Sequence, residues 1–184
     1  MSSSIEQAVE VLREGGVIAY PTEAVYGLGC DPDDQAAIEK ILALKQRERS
    51  KGLILIASDV DQLQPYLEEL PEVAHHRALA SWPGPFTWVW PTKADTSEWL
   101  RGDFATLAVR VTAHPLAREL CQAFGKPLVS TSANLSGQPP ARTAAEVHEQ
   151  FGPRVDFILE GEVGPHSSPT EIRDALSGEL IRGG

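Results

Sequence analysis

The chain has 184 residues, 42% of them hydrophobic and 23% charged, which excludes disordered, collagen-like and coiled-coil proteins and predicts one globular domain spanning 1–184. Its 16 basic and 26 acidic residues leave a formal charge of −10, which argues against a protein whose main task is to coat nucleic acid. Apolar runs such as Leu53–Ala57 fall short of the roughly 20 residues a spanning helix needs, and the first residues lack the regions of a signal peptide. Two distant cysteines, Cys30 and Cys121, form neither a disulfide framework nor a CxxC metal site. Together these features predict a cytoplasmic protein with no membrane attachment.

Helix-like and strand-like stretches alternate, as in an α/β layered domain. Ser4 is placed to cap a first helix with Gln7 in the capping-box position, and Ile5, Ala8, Val9 and Leu12 form its apolar stripe before Gly15-Gly16. Val17–Tyr20 reads as a buried strand, and Tyr20–Gly29 as a strand running into a Pro-Thr-Glu break that fits a tight strand-to-helix link. A second helix is expected from about Asp34 to Lys45, a strand at Gly52–Ile56, and helices near 60–69 and 71–81. Strands follow at Phe86–Trp90 and Leu107–Val111, then a helix at 115–124, and Pro127–Ser130 leads into a polar loop. Thr143 caps a helix at about 144–151 with Glu146 in the capping-box position. Val155–Leu159 is a strand, and Thr170–Arg182 resembles a hairpin turning at Ser177-Gly178.

Three stretches carry chemistry. In Lys45-Gln46-Arg47-Glu48-Arg49-Ser50-Lys51 the cations are spaced by two, so an extended segment projects them to one side. Such a row either serves a polyphosphate or is a solvated loop pairing with Glu39 and Glu48. Ser130-Thr131-Ser132-Ala133-Asn134-Leu135-Ser136-Gly137 follows an apolar strand. It is either a small anion or nucleotide cradle or a turn with hydroxyl-capped backbone. Tyr20–Gly29 puts a hydroxyl, a carboxylate and a phenol beside glycines that permit close approach. Arg110, inside an apolar strand, either faces a partner or ligand or sits at an edge. No dinucleotide fingerprint, P-loop, GxSxG elbow or histidine metal pattern occurs. His75, His76, His114, His148 and His166 read as surface or capping residues, and the four tryptophans as packing.

Taken in order, these segments resemble the YrdC/Sua5 family, in its short single-domain, TsaC-type form. Pro21-Thr22-Glu23-Ala24-Val25-Tyr26-Gly27-Leu28 matches the opening motif, Lys45-Gln46-Arg47 the KxR motif, and Ser132-Ala133-Asn134 the SxN motif. Leu107–Val111 and Pro169-Thr170-Glu171-Ile172-Arg173-Asp174 also fit, and the likeness covers essentially the whole chain. Glu48 stands where many relatives have proline after KxR, Lys51 where longer relatives have histidine, and Thr170 where serine is usual.

The resemblance implies a twisted, mixed α/β sheet with flanking helices around a concave, positively lined cleft, a YrdC/RibB-like fold. It implies threonylcarbamoyl-AMP synthase activity: L-threonine, bicarbonate and ATP, accompanied by Mg2+, give L-threonylcarbamoyladenylate and pyrophosphate for t6A at tRNA position 37. Downstream t6A transfer proteins would take the product, and a weak contact with tRNA is expected. Lys45 and Arg47 match the catalytic and triphosphate positions; Ser132, Asn134 and Arg182 match nucleotide positions; Thr22, Tyr26, Lys51, Arg110 and Ser130 match threonine positions. Two rivals remain: a non-catalytic RNA-binding or ribosome-maturation module gripping phosphates through 45–51, and a carbamoyltransferase fragment of the hydrogenase-maturation type.

Overall fold

Residues 3–165 and 171–182 are described in the computed structural model. In chain order they form α1 (Ser3–Arg13), β1 (Ile18–Pro21), β2 (Tyr26–Gly29), α2 (Gln35–Lys45), β3 (Ile54–Ala57), α3 (Glu72–Ser81) and β4 (Phe86–Pro91). They continue through α4 (Glu98–Arg101), β5 (Thr106–Val111), α5 (Pro115–Phe124), β6 (Leu128–Ser132), α6 (Ala144–Phe151), β7 (Phe157–Ile158), β8 (Glu171–Asp174) and β9 (Leu180–Arg182). The strands join in one mixed sheet ordered β7-β1-β2-β6-β3-β5-β4-β8-β9. Among the described residues, no helix is long and apolar enough to cross a membrane.

Local chemistry sets the helix boundaries. Asp34 caps α2 by accepting from Ala37 N–H at 3.1 Å, and Thr143 caps α6 by accepting from Glu146 N–H at 3.1 Å. In α6 the Glu146 carboxylate returns to the Arg142 N–H, one residue before the cap position of a capping box. α5 opens with Pro115, and His114 Nδ1 accepts from Ala117 N–H. His114 is thus a capping residue, and a buried one.

Several sequence expectations shift. α1 begins at Ser3, so Ser4 lies in its first turn and does not cap it. The helix expected near 60–69 is two short 3₁₀ turns, Val60–Gln62 and Gln64–Tyr66. Asp59 caps the first turn and Pro65 opens the second, so no longer helix forms. Tyr26–Gly29 is a strand paired antiparallel with β1, so Tyr20–Gly29 is a hairpin and not a strand-to-helix link. Pro169 and Thr170 lie outside the described residues.

Each face of the sheet is covered differently. One face presents Leu55, Trp88, Trp90, Leu107, Val109 and Val129 to α2 (Ile38, Ile41, Leu42) and α3 (Ala78). Burying each large side chain contributes about 1.5–3 kcal/mol. On the opposite face Ile18, Tyr20, Ile56 and Leu128 lie under α1 (Ile5, Ala8, Leu12) and α5 (Ala117, Leu120, Phe124). A third cluster packs α6 (Val147, Phe151) against Ala19, Tyr26 and Leu28. α1 and α5 cover only part of their face. Farther along β3 and β6 lie Ile54, Ser130 and Ser132, and beside them on the same face of β5 lie Thr106 and Ala108; these line a cavity instead of a core.

Candidate functional site

That cavity has a volume of about 540 Å³. The pleat supplies its floor, because alternate residues of a strand share a face. The register Val89↔Ala108↔Ile54↔Ser130 sets one row across four strands, and Gly27↔Ser132 sets another. Gly27 has no side chain there: a Cβ would sit 3.3 Å from Ser130 Oγ and 3.4 Å from the Tyr20 ring, filling the floor. The walls come from the β1–β2 turn, the segment after α2, the end of α4, Pro140 and Ile181.

In the β1–β2 turn, the Thr22 hydroxyl and N–H both donate to the Val25 carbonyl, at 2.6 and 3.1 Å. This closes the turn and leaves Thr22 on the cavity wall. The Tyr26 hydroxyl donates to the Gly161 carbonyl (2.6 Å) and accepts from the Gly161 N–H (2.9 Å). Burial pushes that phenol above its usual range.

Glu23 turns inward behind the wall. Its carboxylate accepts from Thr112 Oγ1 (2.8 Å) and from Ala113 N–H (3.0 Å). Its Oε1 lies 3.8 Å from Arg110 Nη2, with the two side chains only 8% (Arg110) and 6% (Glu23) exposed. Arg110 reaches the cavity from β5, and its buried Nε has no hydrogen-bond partner among the described residues. Of the two places open to Arg110, the structure gives it the interior one, with a counter-ion behind and a cavity in front. Sequence reasoning did not single out Glu23 as a site residue; its carboxylate beside the Pro-Thr-Glu break was the available signal.

The cationic stretch 45–51 is not an extended row. Lys45 closes α2, Gln46 takes a left-handed cap conformation, and Arg49–Lys51 forms a 3₁₀ turn. Helix and turn geometry replace the period of two, because Leu53 N–H binds the Leu100 carbonyl and Asp103 N–H binds Ser50. Arg49 leaves the cavity for Glu98, Asp103 and the Trp99 ring. The one-sided strip required for gripping a phosphate backbone is therefore absent. Arg47 and Lys51 remain on the cavity wall. Arg47 Nε and Nη2 both donate to the Gly52 carbonyl, at 3.2 and 2.9 Å, and burial lowers its pKa.

Lys45 lies behind Ser132. Its Nζ donates to the Ser132 carbonyl (2.7 Å), the Asn134 carbonyl (2.9 Å) and Asn134 Oδ1 (2.6 Å). Burial, with Arg47 adding repulsion, lowers the Lys45 pKa to about 8. Seven of the ten expected site residues thus line one cavity: Thr22, Tyr26, Arg47, Lys51, Arg110, Ser130 and Ser132. Lys45 and Asn134 join it through Ser132. Arg182 ends β9 beside the cavity residue Ile181, and its side chain lies outside the described residues.

Arg101 and the exposed Phe104 also line the cavity. No motif marked them; they arrive with the short helix α4, which has too few turns for a periodic signal. The described lining residues carry four cationic side chains (Arg47, Lys51, Arg101, Arg110) and no carboxylate. Such a wall suits anionic groups. It does not fit a protein-held magnesium ion, since Glu23 is already engaged and no cluster of three His, Cys, Asp or Glu was found among the described residues. A larger hollow of about 1020 Å³ is lined by Asp33, Asp59, Asp61 and Asp95 and contains none of the expected residues. Its acidic wall is unsuited to a triphosphate.

Comparison with known proteins identifies the family and the fold. The profile of the Sua5/YciO/YrdC family, described as telomere recombination, matches residues 10–184. A Klebsiella pneumoniae protein named threonylcarbamoyl-AMP synthase is 55% identical over 185 residues, covering 100% of this chain and 97% of that protein. Among solved structures, the H234A/Y235A form of P. abyssi Sua5 superposes with a TM-score of 0.91 at 33% identity over 97% of this chain. P. abyssi Sua5 complexed with L-threonine gives 0.87 at 34% identity over 92%. This chain spans about half of those two Sua5 chains, 55% and 50%.

Proposed function

The chain belongs to the Sua5/YciO/YrdC family, and we propose that it is a threonylcarbamoyl-AMP synthase. It converts L-threonine, bicarbonate and ATP into L-threonylcarbamoyladenylate and pyrophosphate. The observation that carries this reading is the gathering of three distant segments, 22–26, 47–51 and 130–132, around one cavity with a cationic wall.

The chemistry asks for positioning and charge stabilisation, and no protein nucleophile takes part. The threonine amine adds to bicarbonate, water leaves, and a carbamate forms. A carbamate oxygen attacks the α-phosphorus of ATP; that P–O bond forms as the bond to pyrophosphate breaks. Arg47, on the cavity wall, serves the triphosphate; Lys45, whose three N–H groups are taken by Ser132 and Asn134, contributes its charge from behind Ser132 to the charge that develops on pyrophosphate. Ser132, with Asn134 beside it, and Arg182 belong to the nucleotide side. Thr22, Tyr26, Lys51, Arg110 and Ser130 belong to the threonine side, with the Arg110 guanidinium suited to the amino-acid carboxylate. Magnesium would enter with ATP, and no step above runs through it. In this reading the protein works in the cytoplasm, hands its adenylate to the proteins that complete t6A, and touches tRNA weakly.

The test is pyrophosphate release from ATP. It should require both L-threonine and bicarbonate, and Lys45→Ala and Arg47→Ala should each lower it by about 10²–10³-fold while the protein stays folded. Release that ignores threonine, or normal turnover in both variants, overturns the reading.

A further inference from the structure

We propose that Asn134 is a positioning residue that acts on the reaction through Lys45, holding its ammonium in place, and does not itself bind the nucleotide. This rests on the synthase reading above.

The side-chain amide of Asn134 can make four hydrogen bonds, two as donor and two as acceptor, and all four are used inside the protein. Nδ2 donates to the Leu135 carbonyl (3.1 Å) and the Gln138 carbonyl (2.9 Å). Oδ1 accepts from Lys45 Nζ and Ser132 Oγ, each at 2.6 Å. A nucleotide could be bound only by giving one of these up. Asn134 is also absent from the cavity wall, whereas its neighbour Ser132 lines it.

The loop carrying Asn134 is braced from outside. Leu135 N–H donates to Gln150 Oε1 (2.8 Å), and Gln150 Nε2 donates to the Pro139 carbonyl (3.0 Å), which ties the loop to α6. Ala141 N–H closes back on the Ala133 carbonyl at 2.9 Å. Asn134 is therefore a fixed post. Lysine is a point charge on a flexible four-carbon stem, and a step that stabilises developing charge needs that point held before the charge appears. Four acceptors, all from Ser132 and Asn134, surround the Lys45 ammonium, the Ser132 hydroxyl being the most distant at 3.4 Å. Asn134→Ala removes the shortest of them.

The experiment is a double-mutant cycle on kcat/KM for ATP, alongside a carbon-13 titration of the Lys45 ε-methylene. Asn134→Ala alone should lower kcat/KM by roughly tenfold or more, the size of a hydrogen bond to a charged group. In a Lys45→Ala background the same change should produce no further loss. In the NMR titration, Asn134→Ala should lower the Lys45 pKa, because the bond it removes favours the charged form, and Asn134→Asp should raise it. Equal losses in both backgrounds would show Asn134 touching the nucleotide directly, and a Lys45 titration indifferent to both substitutions would show no contact; either overturns the proposal. If the wild-type protein releases no pyrophosphate, the synthase reading fails, and the NMR titration still decides whether Asn134 holds Lys45.

Discussion

Arg110→Ala separates the threonine side of the cavity from the ATP side. The guanidinium lies 3.8 Å from Glu23, beyond hydrogen-bond range, so this pair consumes none of its N–H groups, and Nε has no partner among the described residues. Arg110 lines the cavity, so the terminal N–H groups not spent on Glu23 are the ones offered to a carboxylate. Hydrogen bonds between charged groups contribute about 1.5–3 kcal/mol, so truncation should raise the KM for threonine about 10- to 150-fold. The KM for ATP should move by less than about threefold, an effect below roughly 0.7 kcal/mol. Stability changes by a separate route. Removing one partner of a buried ion pair costs about 3–5 kcal/mol, and the low end applies because Thr112 Oγ1 and Ala113 N–H still hold Glu23. At about 2–4 °C per kcal/mol for a chain of this size, Tm should fall by about 6–12 °C. The double variant Arg110→Ala/Glu23→Gln removes the stranded charge, so it should regain part of that Tm and none of the threonine affinity. Pyrophosphate release is measured with each substrate varied in turn, beside thermal melts of all variants. A tenfold rise in the KM for ATP with threonine unaffected would refute the assignment of Arg110.

Lys45 titrates near 8, so a step that needs its charge should weaken as pH rises through 8. The kcat/KM profile for ATP should show that alkaline limb, Lys45→Arg should move it beyond pH 10, and a wild-type profile flat to pH 10 counts against the role. Folding responds with the opposite sign. An unfolded lysine keeps its charge up to about 10.5, so between 8 and 10.5 the cost of burying that charge is relieved and urea midpoints should gain from this group. Gly102 has φ +66°, and a Cβ there would lie 2.4 Å from the Ser50 carbonyl oxygen and 2.5 Å from Gly52 N. Gly102→Ala should therefore cost about 1–3 kcal/mol and displace the Gly52 carbonyl that anchors Arg47, raising the KM for ATP; an unchanged KM and Tm would show that this loop has slack. Tyr26→Phe removes both bonds to Gly161 and should cost about 1–3 kcal/mol in urea unfolding, with a few-fold rise in the KM for threonine as the second readout.

Much of the scaffold was legible because it is encoded locally. The helices expected at 34–45, 115–124 and 144–151, the last of them marked by its Thr143 cap, are α2, α5 and α6 to within a residue or two, and the hairpin turning near Gly178 appears where the turn residues put it. Failures came where distant contacts override local preference. Tyr26-Gly27-Leu28-Gly29 contains two glycines, which weaken a strand, so β2 was missed. It is a strand because Tyr20 and β6 leave no room for side chains at those positions: a Cβ on Gly29 would lie 2.5 Å from the Val129 carbonyl oxygen and 2.6 Å from the Tyr20 ring. The period of two in 45–51 was real in the sequence and irrelevant to its shape, which contacts with Leu100 and Asp103 decide.

The location of the site could not be read from any single strand, because one strand serves both core and cavity. On β6, Leu128 lies under α1 and α5, while Ser130 and Ser132 on the same face line the cavity. β3 divides in the same way between Ile56 and Ile54. What separates core from cavity is where the helices stop covering the sheet, and α1 and α5 have only 11 and 10 residues, about 15 Å each. Past their ends, small and hydroxyl side chains are tolerated because no helix needs them to fill space, and a buried arginine is tolerated because Glu23 stands behind it. The polar residues of β6 therefore mark the uncovered part of a face whose parity is fixed by the core. A one-residue slip of β6 would turn Leu128, Ser130 and Ser132 away together, so the packing of α1 and α5 on Leu128 also keeps the two serines on the cavity wall.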